Sequence, residues 1–473
     1  MKAEKTDLVV VGSGPGGYAA AFYAADRGKK VILVEMEKRL GGVCLNRGCI
    51  PSKALLHATG LIREAEESEA RGIAYSKPKI SLEKLNAWKE SILEKLSQGI
   101  SQLGEKRGVQ VMWGRGHFEG AKLLRVETPQ GQKFIEYEKA IIAVGSKPAL
   151  PPAFDLGNKR IMTSTEALAL EEVPGNLLVV GGGYIGLELG TVYAALGSQV
   201  VVVEATACLL PGVDSDLVTP VARYAQKHFR EVRFNAKVLK MATSKQQIKV
   251  TFESEGGEKS ELYDRVLVAV GRAPNSADLG LENTQVKLDE RGFIQVEKTQ
   301  QTADPAIYAI GDVAGGVLLA HKAAREARVA VENIAGEEAV FNYVMPAVVF
   351  TDPEVAWCGL TEGEAREKGI PVKTVRFSWA ASGRALTLDR PDGITKLIIE
   401  LETERILGVG MTGHGAGELI SEGVLAVEMG ATAEDLAESI HPHPTLSETL
   451  MECAEKFYGL STHSLPLKTS TGG

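Results

Sequence analysis

Cysteine is scarce in this chain, whose 473 residues contain five, an odd number. So few cysteines exclude a disulfide scaffold of the kind that stabilises small secreted domains. The odd count also argues against secretion, and we therefore expect a cytoplasmic protein. Cys208, Cys358 and Cys453 lie far apart in the sequence and are expected to be small buried residues.

A long apolar run uninterrupted by glycine or charge is also missing. Residues 8–25 are apolar but contain a glycine-rich turn and lie between Asp7 and Asp26, which argues against a signal peptide. Residues 177–205 contain a triple glycine and Glu188, and the β-branched runs at both ends favour strand, turn, helix and strand over a membrane helix. We expect no transit peptide and no membrane insertion.

Positive charge is not in excess, since 53 Lys and Arg residues stand against 61 Asp and Glu residues, for a net charge of −8. The basic residues do not cluster, so neither nucleic acid nor an anionic membrane is an expected partner. A hydrophobic content of 44% and 51 glycines describe a globular α/β protein. The length exceeds what one hydrophobic core supports and predicts two to four domains.

The first 35 residues contain a dinucleotide-binding pattern. Residues 7–11 predict a buried strand, residues 18–27 a helix, and residues 31–34 a second strand that ends at Glu35. The G-x-G-x-x-G glycines between the first strand and the helix are Gly12, Gly14 and Gly17. They permit a tight turn, close approach of the backbone to a pyrophosphate, and close helix–strand packing, while the terminal acid is placed to bind a ribose hydroxyl.

The same layout returns about 170 residues later. Strands are predicted over residues 177–180 and 200–203, with a helix between them that runs to Leu196, and Glu204 follows the second strand. The three glycines are Gly181, Gly183 and Gly186. One such pattern could be only a glycine-rich turn, but two in the same context predict two dinucleotide sites. Glu204 accepts a hydrogen bond from a 2′-hydroxyl and repels a 2′-phosphate, which favours NAD over NADP.

Cys44 and Cys49 lie five positions apart, soon after the first pattern. Residues 49–58 predict a helix with Pro51 in its first turn. A thiolate at Cys49 would be stabilised by the positive end of that helix and by Lys53, four residues on. Such a pair alone could be a structural disulfide or half of a metal site. Beside a dinucleotide site, it favours a redox-active disulfide.

Two later strands end in residues with possible cofactor roles. Residues 141–148 and 268–274 are similar to each other, since each is a short apolar strand stopped by glycine and proline, which could also be a turn at a domain edge. Asp312 follows a strand over residues 307–310 and precedes a helix-like stretch over 318–334. It could be a plain helix cap or, with a flavin present, a partner of a sugar-alcohol hydroxyl.

With these motifs in order, the chain resembles the disulfide-dependent flavoprotein reductases over nearly its whole length. The segments that carry the resemblance are residues 41–53, 309–323, 350–359 and 413–448. The resemblance implies an α/β fold with two Rossmann-like dinucleotide-binding domains, for FAD and NAD, and a C-terminal α+β dimerisation domain. The implied boundaries are 1–150 for the FAD domain, 151–275 for the NAD domain, 276–345 for a central segment that completes the FAD site, and 346–473 for the interface domain. Independently, the alternation within 369–402 fits an antiparallel sheet.

The resemblance also implies roles for single residues. Cys49 is the flavin-side thiol, Cys44 is the interchange thiol that meets the substrate, and Lys53 pairs with Glu188 near the reactive flavin ring. Glu188 could instead be only a first-turn carboxylate favoured by the helix dipole. Further expected cofactor contacts are Gly116, Gly145, Asp312, Ala320, Val238 and Gly271. No metal is implied.

Thiol–disulfide exchange needs a thiolate attacker, and a substrate dithiol is mostly protonated at neutral pH, so a base such as histidine is required. The resemblance assigns this role to His443, with Glu448 close enough in sequence to orient the ring. Pro442 and Pro444 alone would indicate a histidine in a turn. His441 is the nearest rival and is expected only to pack. The resemblance also implies that the His443–Pro444 bond is cis.

The implied activity is the oxidation of protein-bound dihydrolipoamide to lipoamide, with electrons passing through the Cys44–Cys49 disulfide and FAD to NAD⁺. The resemblance implies a homodimer in which the second copy supplies the base. The other implied partners are lipoyl domains and the acyltransferase core of a 2-oxoacid dehydrogenase complex, or a glycine cleavage complex. In this reading the isolated monomer is inactive.

Related activities fit less well. Glutathione-type reductases usually use NADPH and place basic residues where Glu204 stands. Mercuric reductases add a cysteine pair near the C-terminus, and residues 462–473 contain none. Flavin transhydrogenases lack the disulfide. A nucleotide-binding scaffold without redox activity would not need Cys44, Cys49 and His443.

Overall fold

The computed structural model describes residues 3–254 and 256–465. These residues form two compact units. Of the described residues, the first unit comprises 3–152, 162–172 and 270–342. The second comprises 153–161, 173–254, 256–269 and 343–465. Each unit therefore draws on distant parts of the sequence.

The β-strands follow the chain in this order. They are β1 (Glu4–Val11), β2 (Val31–Glu35), β3 (Gln110–Trp113), β4 (Arg115–Gly120), β5 (Leu123–Thr128), β6 (Gly131–Ile142), β7 (Ser146–Pro148), β8 (Ile161–Met162), β9 (Asn176–Val180), β10 (Gln199–Val203), β11 (Glu231–Arg233), β12 (Lys237–Ser244), β13 (Gln247–Ser254), β14 (Gly257–Tyr263), β15 (Arg265–Val268), β16 (Arg272–Pro274), β17 (Ile307–Ala309), β18 (Ala347–Val349), β19 (Glu354–Gly359), β20 (Val372–Ser378), β21 (Ile394–Glu400) and β22 (Ile406–Gly413).

The α-helices are α1 (Pro15–Asp26), α2 (Gly42–Arg47), α3 (Cys49–Glu67), α4 (Leu82–Lys106), α5 (Ser164–Ala169), α6 (Tyr184–Ala195), α7 (Ser215–His228), α8 (Ala320–Ile334), α9 (Glu362–Glu367), α10 (Gly383–Thr387), α11 (Ala416–Met429), α12 (Ala433–Ala437) and α13 (Glu448–Tyr458). Short 3₁₀ turns occur at Ser68–Arg71, Leu281–Asn283, Gly311–Ala314 and Trp379–Ala381.

The first unit is built on a mixed sheet in which β3, β2, β1 and β6 lie side by side and parallel, with β17 parallel to β6. Strands β4, β5 and β6 continue it as an antiparallel ribbon. All of β2 is buried, as expected for a parallel strand that is covered on both faces. The strand–helix–strand unit predicted at the N-terminus is confirmed by β1, α1 and β2.

The helix after the first glycine pattern packs closely on a helix from much later in the chain. A Cβ atom at Gly16 on α1 would lie 3.2 Å from the Cβ of Ala323 on α8. Only small residues allow two helices to approach so closely. The buried alanines Ala20, Ala21 and Ala327 extend this apolar layer over the sheet.

The second unit contains three sheets. Strands β11, β10, β9 and β15 are parallel, and β12, β13 and β14 form an antiparallel sheet. Strands β18, β19, β22, β21 and β20 form a second antiparallel sheet, on which α11 and α13 pack. The strand, turn, helix and strand predicted over residues 177–205 are β9, α6 and β10. The predicted α/β fold class and the antiparallel C-terminal sheet are therefore confirmed.

The described helices were also compared with the length and hydropathy that a bilayer requires. Over residues 3–254 and 256–465, none is both long and apolar enough to cross a membrane. The apolar residues 177–205 are instead divided among two strands and a helix.

A buried lysine joins α7 to the C-terminal sheet. Lys396 on β21 is 1% exposed, and its ammonium lies 2.7 Å from Asp214, 3.0 Å from Asp216 and 3.3 Å from Glu362. Arg376 on β20 pairs with the last two of these carboxylates. Burial alone would raise the pKa of Asp216, but hydrogen bonds from Arg376 and Lys396 hold that pKa below its ordinary value. The cluster therefore stabilises the ionised carboxylates.

We expect Lys396→Met to lower the free energy of unfolding by about 2–3 kcal/mol at neutral pH, because the carboxylates lose their buried partner. Asp216 and Glu362 have lowered pKa values in the fold, with burial opposed by hydrogen bonds and by the nearby cations. Carboxylates of this kind stabilise the fold above their unfolded pKa and lose this contribution as the pH falls through the folded one. The difference between variant and wild type should therefore shrink below about pH 4.

Denaturant unfolding of both proteins at neutral pH and at about pH 3 measures this difference. Lys249→Met is the control, because Lys249 is an exposed lysine on β13. Its free energy of unfolding should stay within about 0.5 kcal/mol of that of the wild type. A Lys396→Met penalty that stays constant down to the lower pH would contradict the proposed charge pairing.

Candidate functional site

The first glycine pattern forms a turn that is open on the side of α1. A Cβ atom at Gly17 would lie 1.8 Å from the carbonyl oxygen of Gly12, so a side chain is excluded there by helix–strand contact. At Gly14, in contrast, no heavy atom of the described chain lies within 4 Å of such a Cβ. Gly14 is also the N-cap of α1, and no side chain caps the helix there. The free N–H groups and the open space fit a pyrophosphate.

The second glycine pattern has the same geometry. A Cβ atom at Gly186 would lie 2.2 Å from the carbonyl oxygen of Gly181, whose φ of +109° disfavours any side chain. Gly183 is the N-cap of α6, without a side-chain cap, and a Cβ there would meet no described atom within 4 Å. Both turns therefore place uncapped helix N-termini beside open space. This is the arrangement that a dinucleotide pyrophosphate requires.

The carboxylate at the end of β2 is buried and held by its own turn. Glu35 accepts hydrogen bonds from the N–H of Ser13 at 2.9 Å, from the Ser13 hydroxyl, and from the N–H of Glu37 at 2.7 Å. A carboxylate has about four acceptor positions. One acceptor position is therefore left over, and its contact with a ribose hydroxyl stays a prediction.

The carboxylate after β10 is held in the same way. Glu204 accepts from the N–H of Gly182 at 2.7 Å and from the N–H of Thr206 at 2.8 Å, and it is 7% exposed. Each oxygen thus receives one backbone bond and keeps acceptor capacity. A negative group fixed at this position accepts a hydroxyl and repels a phosphate.

Asp312 lies at the start of the 3₁₀ turn that follows β17. The hydroxyl of Ser146 donates to its carboxylate, and the Arg272 guanidinium lies 3.6 Å away. Arg272 in turn donates to the Ser146 hydroxyl at 2.7 Å and to the Ser146 carbonyl at 2.8 Å. The two similar segments predicted from the sequence thus meet here, because β7 pairs with β16. Asp312 is therefore held by a network and is more than a helix cap.

The cysteine pair lies where α2 meets α3. Cys44 is within α2, Gly48 separates the helices, and Cys49 is the first residue of α3, as predicted. Both residues are thiols, with Cys44 half-buried and Cys49 exposed. A hydrogen bond with Cys49, together with burial, raises the pKa of the Cys44 thiol. Both the hydrogen bond and the burial favour the neutral form of Cys44.

The cysteine segment contacts the first glycine turn directly. A Cβ atom at Gly42 would lie 2.5 Å from the Cα of Gly14, and the N–H of Gly41 donates to the carbonyl oxygen of Ser13 at 3.0 Å. The thiols are thus carried by a segment anchored on the proposed pyrophosphate turn. The expectation that they lie beside a dinucleotide site is supported by this anchoring.

Glu188 is buried in α6, where it is 3% exposed. Its carboxylate accepts from the N–H of Phe350 at 3.0 Å, which is a tertiary contact and more than a helix-dipole effect. Lys53 lies on α3 in the first unit, four residues after Cys49. The pairing of Lys53 with Glu188 stays a prediction.

His443 and Glu448 form the predicted pair. The Nδ1 atom of His443 lies 2.8 Å from one oxygen of Glu448, and the other oxygen accepts from the N–H of Thr445 at 2.7 Å. Burial alone would raise the pKa of Glu448, but the bonds from Thr445 and His443 hold that pKa below its ordinary value. The imidazole is 73% exposed, and the His443–Pro444 bond is cis, as predicted. With Nδ1 bound to Glu448, Nε2 is the ring nitrogen left for a substrate proton.

His441 was the rival for the role of base. Its side chain is 7% exposed, with Nε2 at 2.7 Å from Glu422 and Nδ1 at 2.8 Å from the carbonyl oxygen of Ser439. Both ring nitrogens are therefore engaged. These contacts support the expectation that His441 has a structural role, which stays a prediction.

The remaining predicted contacts lie in defined places. Gly145 and Gly271 have positive φ and face open space, while Gly116 lies on β4, Val238 on β12, and Ala320 is the first residue of α8. Their contacts with a cofactor stay predictions. Clusters of three or more His, Cys, Asp or Glu side chains able to hold a metal do not occur among the residues that the structure describes.

One expectation about the other cysteines was wrong. Cys358 and Cys453 are buried, and burial raises the pKa of each thiol to about 12. Cys208, however, is exposed. It lies in the turn after Glu204, where the chain leaves the sheet and its neighbour Thr206 bonds the Cys208 carbonyl at 3.0 Å. The residue therefore has no apolar layer to join.

Several residues that hold the site were missed in the sequence. Ser13 is a variable position of the first glycine pattern, and Thr445 lies inside the segment that contains His443. Ser146 and Arg272 occupy matching places in the two similar segments. That match was the only local signal, because the contact of Ser146 with Asp312 joins positions 166 residues apart.

Curated relatives match nearly the whole chain. Proteins named dihydrolipoyl dehydrogenase from Buchnera aphidicola, Vibrio cholerae and Staphylococcus aureus are each 44% identical to it. The matches cover 98% of this chain in all three, and 98%, 97% and 98% of the respective relatives.

Solved structures match the fold. LpdA from Mycobacterium tuberculosis is 27% identical, with a TM-score of 0.88 over 96% of this chain and 100% of that chain. The HOCl-induced flavoprotein disulfide reductase RclA from Escherichia coli is 28% identical, with a TM-score of 0.85 over 95% and 99%.

Two family models together account for most of the residues. Residues 6–327 match the pyridine nucleotide-disulphide oxidoreductase model, and residues 345–454 match the dimerisation domain of the same family. The two dinucleotide turns and the adjacent thiols described above are the parts that this chemistry needs. The chain therefore belongs to the pyridine nucleotide-disulphide oxidoreductase family, whose cofactors are FAD and NAD(H).

Proposed function

We propose that this chain is a dihydrolipoyl dehydrogenase, which oxidises protein-bound dihydrolipoamide to lipoamide and reduces NAD⁺. The observation that carries the proposal is the exposed imidazole of His443, fixed at Nδ1 by Glu448 at 2.8 Å. A base held in one tautomer and open to solvent is what a protonated dithiol substrate requires. The relatives of that name, 44% identical over nearly the whole chain, support the same reaction.

The thiol chemistry starts at the base. His443 Nε2 takes the proton of one substrate thiol, and the thiolate attacks the sulfur of Cys44. The Cys44–Cys49 bond breaks, and Cys49 leaves as a thiolate at the positive end of α3. The second substrate thiol, once deprotonated, attacks the substrate sulfur of the mixed disulfide. Lipoamide leaves with a new S–S bond, Cys44 takes a proton, and the enzyme holds two electrons.

FAD supplies a two-electron relay between the thiols and the nicotinamide of NAD⁺, which accepts a hydride. Residues of the first unit would hold it, with the turn at Gly14 at its pyrophosphate, Glu35 at a ribose hydroxyl and Asp312 at the sugar-alcohol chain. In the second unit, the turn at Gly183 and the carboxylate of Glu204 would hold NAD⁺. Backbone N–H groups fix both carboxylates, so neither has to reorient when its ligand binds.

The proposed active form is a homodimer in which His443 of one copy serves the Cys44–Cys49 pair of the other. The match of residues 345–454 to a dimerisation domain supports this arrangement. The proposed division remains 1–150 for FAD, 151–275 for NAD, 276–345 for completing the FAD site, and 346–473 for the interface. Lipoyl domains of a cytoplasmic 2-oxoacid dehydrogenase or glycine cleavage complex are the proposed substrates.

We expect His443→Gln to lower turnover of dihydrolipoamide by about 10²–10⁴-fold, the typical contribution of a general base. Oxidation of NADH by a small artificial acceptor such as ferricyanide should survive, because that route takes no proton from a thiol. Steady-state kinetics of both reactions on the same preparation provide the measurement.

His441→Gln is the matched control for this substitution. His441 binds Glu422 inside the fold, so its replacement should lower stability and leave the ratio of the two activities as in the wild type. If His443→Gln leaves both reactions unchanged, the assignment of the base is wrong. If the selective loss occurs in His441→Gln instead, His441 is the base.

We expect Glu204→Gln to raise the KM for NAD⁺ by about 10-fold, because a hydrogen bond to a charged group contributes about 1.5–3 kcal/mol. The loss of negative charge should also narrow the preference for NAD⁺ over NADP⁺. The measurement is kcat/KM for each nucleotide with dihydrolipoamide held saturating.

Glu35→Gln makes the same change in the first glycine pattern and provides the comparison. It should weaken retention of FAD, measured as flavin content after dialysis, and leave the ratio of kcat/KM for NAD⁺ and NADP⁺ as in the wild type. A nucleotide preference that changes in Glu35→Gln and not in Glu204→Gln would exchange the two assignments.

A further inference from the structure

Trp379 is the largest fully buried side chain in the part of the chain that the structure describes. Trp379 begins the 3₁₀ turn after β20, and its backbone N–H donates to the carbonyl oxygen of Gly393 at 2.9 Å. A Cβ atom at Gly393 would lie 2.3 Å from the indole, and one at Gly413 would lie 2.2 Å from it. The ring is therefore held between two backbone segments, and its orientation is fixed.

Two buried threonine side chains continue from this ring as a chain of hydrogen bonds. Trp379 Nε1 lies 2.9 Å from Thr395 Oγ1, which lies 2.7 Å from Thr449 Oγ1. The Thr449 hydroxyl donates to the carbonyl oxygen of Leu446 at 2.8 Å. The exposed fractions of Trp379, Thr395 and Thr449 are 0%, 0% and 1%.

The direction of each bond follows from the donor inventory. An indole N–H only donates, and a hydroxyl has one proton. Because Thr449 gives its proton to Leu446, Thr395 must donate to Thr449 and accept from Trp379. The chain therefore runs one way, from the clamped indole to a backbone carbonyl. Aligned bonds of this kind strengthen one another in a buried setting.

The chain ends inside the segment that holds the proposed base. The Leu446 carbonyl also accepts the N–H of Thr449 at 3.1 Å, which closes the turn that begins α13. Glu448, the first residue of α13, lies within this turn and bonds His443. Ser447 is the N-cap and makes no side-chain capping bond. The device that usually fixes a first helical turn is therefore replaced by the buried threonines.

A polar chain is a costly choice for this place. The surrounding core on α13 and the C-terminal sheet is apolar and includes Phe377, Leu397, Leu450 and Ala454. A paired buried hydroxyl contributes little net stability, and the loss of one partner leaves the other desolvated without a hydrogen bond. What the hydroxyls add beyond packing is direction. They allow one orientation of the turn that carries Glu448.

We propose that Trp379, Thr395 and Thr449 are positioning residues for dihydrolipoamide oxidation, acting through Glu448 on His443. The inference rests on the proposed function of His443 as the base. None of the three touches the imidazole, and their effect is transmitted by the turn at residues 445–449. When the turn is held, the carboxylate faces Nδ1 and Nε2 is presented in one direction.

Thr449→Val tests the proposal, because it keeps the branched shape and removes the hydroxyl that both accepts and donates. The kcat for dihydrolipoamide should fall about 10-fold, within the range that a misplaced catalytic group costs, with little change in KM. The acid limb of the pH–rate profile should move to lower pH, since a misplaced carboxylate stabilises the imidazolium less. NADH oxidation by ferricyanide and flavin content should equal those of the wild type.

Thr449→Ser restores the hydroxyl and should recover the wild-type pH profile. Thr412→Val is the matched control. Thr412 is a fully buried threonine on β22, beside the strand that carries Thr395, and its hydroxyl donates to the carbonyl oxygen of Leu217. This substitution should lower the thermal midpoint without moving the pH profile. Should Thr449→Val fold poorly, Trp379→Phe removes only the first donor and should move the profile in the same direction.

The outcomes separate this inference from the function on which it rests. If the Thr449→Val enzyme has a lower thermal midpoint but wild-type kcat and pH profile, the hydrogen bonds of Trp379, Thr395 and Thr449 have only a structural role and the inference is overturned. A wild-type enzyme that does not oxidise dihydrolipoamide while it oxidises NADH would overturn the proposed function instead.

Discussion

Close contact between a helix and a strand, possible only with glycine, sets the geometry of both dinucleotide turns. The Cβ atoms excluded at Gly17 and Gly186 would lie 1.8 Å and 2.2 Å from the carbonyl oxygens of Gly12 and Gly181. The distance between the start of each helix, α1 or α6, and the end of the preceding strand is thus determined by backbone atoms alone. Because both helices start uncapped beside open space, their N–H groups remain available to an anion. The carboxylate of Glu35 and the thiol segment contact the first turn, and the carboxylate of Glu204 contacts the second.

A second feature is that three acids of the candidate site are held by backbone N–H groups. Glu35 is bound by Ser13, Glu204 by Gly182, and Glu448 by Thr445. A carboxylate fixed in this way keeps a defined free acceptor position and loses no rotational freedom when a ligand or an imidazole arrives. The negative charge matters for the choice of NAD, but at Glu448 the fixed direction is what selects the tautomer of the histidine.

The environment of the thiols is set by burial and local charge, whereas the candidate base is exposed to solvent. A hydrogen bond with Cys49 and burial raise the pKa of Cys44, while Cys49 lies at the start of a helix, where negative charge is favoured. In the proposed reaction the substrate brings a deprotonated sulfur to the Cys44–Cys49 disulfide, and the exposed imidazole of His443 would take that proton. The buried chain from Trp379 explains how an exposed residue can nevertheless be held in one orientation.

Local pattern in the sequence was enough for the strand–turn–helix units and for the helix that starts at Cys49, whereas the cis bond after His443 was expected from the family resemblance. Glycine spacing and hydrophobic period report on neighbours a few residues apart, and those contacts form in almost any context. Packing alone decided that Ser146 supports Asp312 and that Lys396 meets three carboxylates. It also decided that Cys208 is exposed. Such contacts join residues far apart in the chain, and their energy exists only after the sheets and helices have come together, so no short segment carries their signal.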